Sequence, residues 1–190
     1  MPTVCILTPY KQKIMDLIPS FQVDHTNLNP GIYVSRTDIQ GDVKIITFDI
    51  RMTSPNREPA INIAAMHTLE HLIATYLRNR EGFKETMIYF GPMGCLTGSY
   101  LIVSEGKDEN KYTPETMKGI VIDSLKFVEG YEGEVPGATP KTCGNYLMHD
   151  LPMAKYEATR YRKRLEEHFV SEYPKAVRPV DDSGIVFHDA

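Results

Sequence analysis

The sequence predicts an α+β fold in which helices pack on one face of an antiparallel sheet. Two runs rich in β-branched residues, 32–36 and 43–51, are separated by a polar link at 40–42, which is typical of an antiparallel hairpin with a longer loop. Apolar residues recur at helical spacing between 61 and 79, so we expect a central helix that lies against this sheet. The apolar positions of this helix are Ile61, Ala65, Leu69, Leu72 and Tyr76.

The rest of the chain supplies two more strands and two more helices. Short β-rich runs at 86–90 and 99–104 flank a glycine-rich turn at 91–98. A second helix is predicted to begin after Thr113 as its N-cap, with Pro114 as its first residue. A third helix is expected over 151–169. We therefore expect a single domain over 1–190, with its core at about 20–169, an N-terminal arm and an irregular C-terminal tail.

Composition excludes several classes of partner. The 190-residue chain is 42% hydrophobic and 24% charged, with a net charge of −4. Because no basic stripe stands out, we expect no nucleic-acid or anionic-membrane partner. No apolar run reaches the length of a transmembrane helix, and the first residues do not resemble a secretion signal. Three widely spaced cysteines do not form a disulfide framework, and they favour a reducing cytoplasm.

The central helix carries half of a metal site. His67 and His71 are four residues apart, so their imidazoles lie one turn apart on the same face. With Glu70 they form the pattern H-x-x-E-H, which is also that of the inverted zinc peptidases. A catalytic metal needs a third protein ligand, and the candidates are Cys143, His149, His25 or a carboxylate. Two histidines and a cysteine would hold Zn²⁺, Co²⁺ or Fe²⁺.

A second chemical centre is predicted at Cys95, in the glycine-rich turn. Glycines let a backbone and a substrate approach closely, and a cation beside such a thiol would favour its thiolate. Arg51 ends the second strand and could supply that cation or bind an anion, although an exposed surface arginine is the commoner case. By itself His149 is expected to be structural or exposed, and Cys5 has no supporting context.

Several separated stretches resemble the S-ribosylhomocysteine lyase (LuxS) family. They are residues 20–25 (SFxxDH), 48–51 (FDIR), 55–56 (PN), 67–72 (HTLEHL), 78–79 (RN), 92–100 (PMGCxTGxY), 143–144 (CG) and 149–151 (HDL). In this order they cover the chain from about residue 20 to residue 160.

The resemblance implies a role for each matching residue. The metal ligands would be His67, His71 and Cys143, and the general acid/base pair would be Glu70 and Cys95. The substrate contacts would be Ser20, Phe21, His25, Arg51 and Arg78. Arg78 lies about 16 Å along the helix from His67, and the resemblance assigns it to a substrate bound mainly by the other subunit of a homodimer. One divalent metal per subunit is implied, Fe²⁺ before Zn²⁺ or Co²⁺, with no organic cofactor.

The resemblance also implies the reaction. A metal acting as a Lewis acid polarises a ribose carbonyl, two proton-transfer steps move that carbonyl along the sugar, and β-elimination expels homocysteine. The other product is a dihydroxy-pentanedione, the precursor of a quorum-sensing autoinducer, and the substrate derives from the activated methyl cycle. Two positions depart from the family pattern: Tyr89 stands where an acidic residue is common, and Gly91 where a serine is common.

Two other functions remain open from the sequence. The first is a metallopeptidase of the H-x-x-E-H kind, which needs a downstream carboxylate as its third ligand and leaves Cys95 unexplained. The second is a catalytically inactive homologue that binds metal without turnover, which Tyr89 alone suggests.

Overall fold

A computed structural model describes residues 23–174. Its elements are β1 (Gly31–Gln40), β2 (Val43–Arg51), α1 (Ile63–Asn79), β3 (Met87–Pro92), β4 (Gly98–Gly106), α2 (Pro114–Gly130) and α3 (Leu151–Glu167). The strands form one antiparallel sheet in the order β1-β2-β4-β3. The predicted α+β class is confirmed. The N-terminal arm with Cys5, the predicted substrate contacts Ser20 and Phe21, and the tail beyond residue 174 lie outside the described residues.

The first hairpin is longer and tighter than the sequence indicated. β1 extends to Gln40, four residues past the predicted end, because its polar second half pairs with β2 throughout. Gln40 is directly opposite Val43, so the connection is a two-residue turn rather than a longer loop. Gly41 has φ 61°, a conformation that glycine adopts without the steric cost of a Cβ.

The helix ends are set by local capping. Asn62 caps α1 by accepting hydrogen bonds from the backbone of Ala64 and Ala65, so this helix begins two residues later than predicted. α3 ends at Glu167 because His168 leaves the helical conformation at φ −141°. None of the helices in the described part of the chain has the length and apolar character required to cross a membrane.

The core lies between the sheet and the helices. Alternate residues of β2 point inward, and Ile46, Phe48 and Ile50 are at most 4% exposed. The next residues along the same strand point to the opposite face, because side chains alternate in a β-strand. On that opposite face Asp49 and Arg51 are nevertheless only 2% and 3% exposed, so something other than the three helices covers this end of the sheet.

Candidate functional site

Four potential metal ligands come together at α1. His67 and His71 project from this helix, and Cys143 and His149 belong to the loop that precedes α3. One ligand atom from each of the four lies within 4.8 Å of the others. The Cys143 Sγ is 3.4 Å from the His67 Nε2. The loop therefore delivers a sulfur and a third imidazole to the pair that the helix presents.

The two helix histidines are held by hydrogen bonds at their Nδ1 atoms. The His67 Nδ1 is 2.8 Å from the Met148 carbonyl oxygen, and the His71 Nδ1 is 2.7 Å from that of Pro136. A carbonyl can only accept a hydrogen bond, so each Nδ1 carries the proton and donates. Each Nε2 is therefore unprotonated. Metal-ligating histidines typically donate a hydrogen bond from their other ring nitrogen in this way. The donor set of two such imidazoles and a thiol fits a divalent transition metal.

His149, one of the candidate third ligands, lies within the donor cluster and is only partly exposed. Its ring stacks on that of His67 with centroids 4.2 Å apart. The Thr68 hydroxyl donates to the Ala64 carbonyl and lies 3.2 Å from the His149 Nδ1, so it accepts from that nitrogen. The His149 Nε2 is therefore bare, buried and without a protein partner among the described residues. Burial and the two neighbouring imidazoles lower the pKa of His149.

Cys95 lies on an exposed turn beside a buried cation. Its Sγ is 3.1 Å from the Thr97 Oγ1 and 3.8 Å from the Arg51 Nη1. Partial burial opposes ionisation of the thiol, but hydrogen bonds from Thr97 and the charge of Arg51 outweigh it and lower the pKa of Cys95. Leu96, the next residue, has a backbone φ of 56°, which is uncommon for residues other than glycine. The turn thus holds a thiol with enhanced thiolate character.

Arg51 is buried rather than exposed, because an acidic neighbour compensates its charge. Its Nη2 donates to the Asp49 Oδ2 at 2.6 Å, and its Nη1 donates to the Thr97 Oγ1 at 2.5 Å. Burial raises the pKa of Asp49, and Arg51 opposes this rise. Sequence reasoning assigned no role to Asp49 or Thr97. The signal available was the spacing of 49 and 51, which places both side chains on one face of a strand.

The other predicted site residues are placed as follows. Glu70 is half-buried on α1 and stays outside the four-donor cluster. His25 lines a pocket together with Asp49 and Arg51, and its Nδ1 is 2.8 Å from the Val23 carbonyl oxygen. Arg78 is exposed and donates to the Ile88 carbonyl at 2.9 Å.

Tyr89 and Gly91, the two positions singled out in the sequence, are in contact. Tyr89 is 45% exposed, and its ring lies over Gly91 so closely that a Cβ at position 91 would overlap the phenol. A serine at position 91 is therefore incompatible with this placement of the tyrosine.

Known proteins resemble this chain over most of its length. The profile of the S-Ribosylhomocysteinase (LuxS) family matches residues 18–172. An S-ribosylhomocysteine lyase of Phocaeicola vulgatus is 51% identical over 158 residues, covering 83% of this chain and 95% of the relative. Proteins of the same name are 48% identical in Porphyromonas gingivalis, over 80% of this chain and 92% of the relative, and 50% identical in Clostridium acetobutylicum, over 80% and 93%. As the motifs predicted, the chain belongs to the S-ribosylhomocysteinase (LuxS) family.

Proposed function

We propose that this chain is a metal-dependent carbon–sulfur lyase that cleaves S-ribosylhomocysteine to homocysteine and a dihydroxy-pentanedione, the autoinducer precursor. Family membership and the names of the relatives support this activity. The observation that carries it in the structure is the presence of two chemical centres, a cluster of imidazole and thiol donors and a separate cation-flanked thiol. A reaction that polarises a carbonyl and moves protons between carbons needs both.

We assign the metal to His67, His71 and Cys143. The bare Nε2 atoms of the two imidazoles support this assignment, as does the Cys143 Sγ at 3.4 Å from one of them. Fe²⁺ is our first choice, with Zn²⁺ or Co²⁺ as alternatives, because a mixed imidazole and thiolate set suits all three. A metal bound here would supply Lewis-acid polarisation of the substrate carbonyl. The bare nitrogen of His149 can accept a hydrogen bond from a group held at the same centre.

Cys95 and Glu70 carry the proton transfers in this proposal. The Cys95 thiolate removes a proton from the carbon next to the carbonyl and returns it to the neighbouring carbon, so that the carbonyl shifts along the sugar. Glu70 takes and returns the hydroxyl protons during the same shifts. After two shifts, loss of the proton beside the new carbonyl expels the homocysteine thiolate by β-elimination. The lowered pKa of Cys95 supports its role as the base.

The finer aspects of the proposal concern the substrate, the assembly and the compartment. We assign substrate contacts to Ser20, Phe21, His25, Arg51 and Arg78. Because Arg78 is exposed at the far end of α1, we infer that it acts in the site of a partner subunit within a homodimer. The free thiols of Cys95 and Cys143 favour a reducing compartment, the cytoplasm.

The structure argues against the two alternative functions. A peptidase of the H-x-x-E-H kind needs a carboxylate as third ligand, and no carboxylate of residues 23–174 joins the donor cluster. An inactive homologue would have no use for a thiol held beside a buried arginine, yet this chain keeps that arrangement.

The test is release of homocysteine from S-ribosylhomocysteine by anaerobically purified, metal-loaded protein. We expect a thiol to appear with the wild type and with Cys5→Ala, a matched control at a cysteine without an assigned role. Cys95→Ala and Glu70→Gln should retain metal and lose release by a factor of about 100 or more. Metal-loaded wild type that releases no thiol would refute the proposed activity, and full activity in Cys95→Ala would refute the assigned base.

A further inference from the structure

The buried ion pair behind Cys95 is covered by the segment that follows α3. Asp49 and Arg51 lie on the sheet face opposite the helices, where Asp49 pairs across the strands with Tyr33 and Tyr100. Residues 168–174 reach this face after α3, and the Val170 carbonyl accepts a hydrogen bond from the Ile32 backbone at 3.0 Å. The final described residues thus lie along the start of β1, above the ion pair.

Tyr173 makes the decisive contact. Its ring stacks on Tyr33, with centroids 4.6 Å apart and planes 8° from parallel. Its hydroxyl donates to the Asp49 Oδ2 at 3.1 Å, the oxygen that also accepts from the Arg51 Nη2. Burial and the Asp49 carboxylate raise the pKa of Tyr173, so its hydroxyl remains a donor at neutral pH. Tyr173 was not among the site residues predicted from the sequence.

We propose that Tyr173 is a positioning residue for Cys95, whose hydroxyl fixes the Asp49 carboxylate so that Asp49 holds Arg51 against the thiol. The chain of contacts is continuous. Tyr173 and Arg51 share one carboxylate oxygen of Asp49, and the other nitrogen of the Arg51 fork reaches both the Thr97 hydroxyl and the Cys95 sulfur. A guanidinium fork is planar, so fixing one nitrogen orients the other.

The environment of this chain leaves Asp49 dependent on Tyr173. The Asp49 Oδ1 and the Arg51 Nε are buried without a partner in the described part of the chain, so Oδ2 alone anchors the carboxylate. The other titratable groups that face Asp49 are His25, Tyr33, Tyr100 and Tyr161. None of these four donates a hydrogen bond to its carboxylate in residues 23–174. Around Cys95 the titratable groups are Arg51 and Tyr100.

The test measures the thiolate character of Cys95 without requiring turnover. The full-length, metal-loaded protein is treated with iodoacetamide across a range of pH, and alkylation is followed on the Cys95 peptide by mass spectrometry, which separates it from Cys5 and Cys143. Tyr173→Phe removes the hydroxyl and keeps the stacked ring. Tyr33→Phe is the matched control, because the Tyr33 hydroxyl donates to the Asn29 carbonyl at 2.7 Å and not to Asp49.

We expect Tyr173→Phe to slow Cys95 alkylation at pH 7 by about three- to tenfold and to move its pH profile to higher pH. Tyr33→Phe should keep the wild-type profile. In an Asp49→Asn background the tyrosine change should have no further effect, since residues that act through one another are not additive. Thermal unfolding of both phenylalanine variants reports any loss of stability separately from the pH profile.

Three results would overturn the inference. The first is a Tyr173→Phe profile equal to that of Tyr33→Phe, and the second is a profile moved to lower pH, which would mean that Asp49 acts mainly by neutralising Arg51. The third is an undiminished effect in the Asp49→Asn background. The inference rests on the proposed role of Cys95, but alkylation does not depend on lyase activity, so failure of one can be told from failure of the other.

Discussion

Replacing Thr97 by valine tests whether the turn around Cys95 prepares its thiolate. Thr97 is 7% exposed, and its hydroxyl lies 3.1 Å from the Cys95 Sγ and 2.5 Å from the Arg51 Nη1. Valine has nearly the same shape and lacks the hydroxyl. Among the interactions that lower the pKa of Cys95, the Thr97 hydrogen bond is the largest. The substitution should therefore raise that pKa toward its ordinary value.

The magnitude follows from one hydrogen bond to a charged group. Such bonds contribute about 1.5–3 kcal/mol, and screening of the exposed Cys95 by water reduces this to about 1 kcal/mol. One kcal/mol corresponds to about a fivefold lower thiolate fraction at pH values below the pKa. Because the wild-type pKa is lowered, the wild type keeps its thiolate to lower pH than the variant does. The acidic limb of kcat/KM for homocysteine release should thus move to higher pH, with recovery at alkaline pH.

The assay compares Thr97→Val with Thr97→Ser, which retains the hydroxyl and loses only the methyl group. The serine variant should keep the position of the acidic limb. The valine variant should show a kcat/KM about fivefold lower than the wild type at pH values on that limb. The valine variant also leaves the Arg51 Nη1 without its oxygen acceptor at a cost of about 1–3 kcal/mol, so rates are measured well below its unfolding temperature. A loss that is the same at every pH, or the same in both variants, would refute the reasoning.

Three further predictions concern the metal and the fold. Cys143→Ser should lower the bound metal, measured by elemental analysis, well below one per chain. A chelator should lower the Tm of the wild type by about 5–10 °C, since a ligand at 100 times its Kd stabilises the folded state by about 2.7 kcal/mol. An unchanged Tm would contradict the metal site. Glu58 accepts two hydrogen bonds from Arg164 at 2.7 and 2.8 Å, which lower its pKa against the opposing effect of burial, so Glu58→Gln should cost about 1–2 kcal/mol at neutral pH in denaturant titrations. That stability is present above the ordinary carboxyl pKa and is lost as pH falls through the lowered one, so the gap between the two proteins should close in acid. Tyr161 is buried and donates to the Gly31 carbonyl at 2.7 Å, so Tyr161→Phe should lower the Tm by about 3–6 °C. An unchanged Tm would mean that this hydrogen bond makes no net contribution to stability.

Local patterns predicted the elements well and their ends less well. The β-rich run at 43–51 and the helical spacing at 61–79 identified β2 and α1, because each reflects the geometry of a single element. The start of α1 was placed two residues too early, since the apolar pattern includes Ile61 and the cap is the side chain of Asn62. β1 was predicted too short because its second half is polar and is held by pairing with β2. A neighbouring strand, rather than its own residues, makes that segment a strand.

The site divides in a similar way. The histidine pair and Glu70 were predicted from spacing on one helix. Cys95 and Cys143 were candidates from their own loops, and the family motifs assigned their roles. His149 remained one of several candidate third ligands, because a single histidine in a loop carries no periodic signal. Asp49 and Thr97 were overlooked because each is significant only through its contact with Arg51.

The sequence by itself determined the α+β class, the i, i+4 histidine pair and membership of a lyase family, all of which are confirmed. These follow from the fixed rise and twist of single elements and from short motifs whose order is specific. Only the tertiary structure decided that the loop at 143–149 closes on α1, that Arg51 is buried, and that Tyr173 reaches the ion pair behind Cys95. Such contacts join residues 76 to 124 positions apart. They depend on strand register and on the path of the chain after α3, which no local pattern encodes.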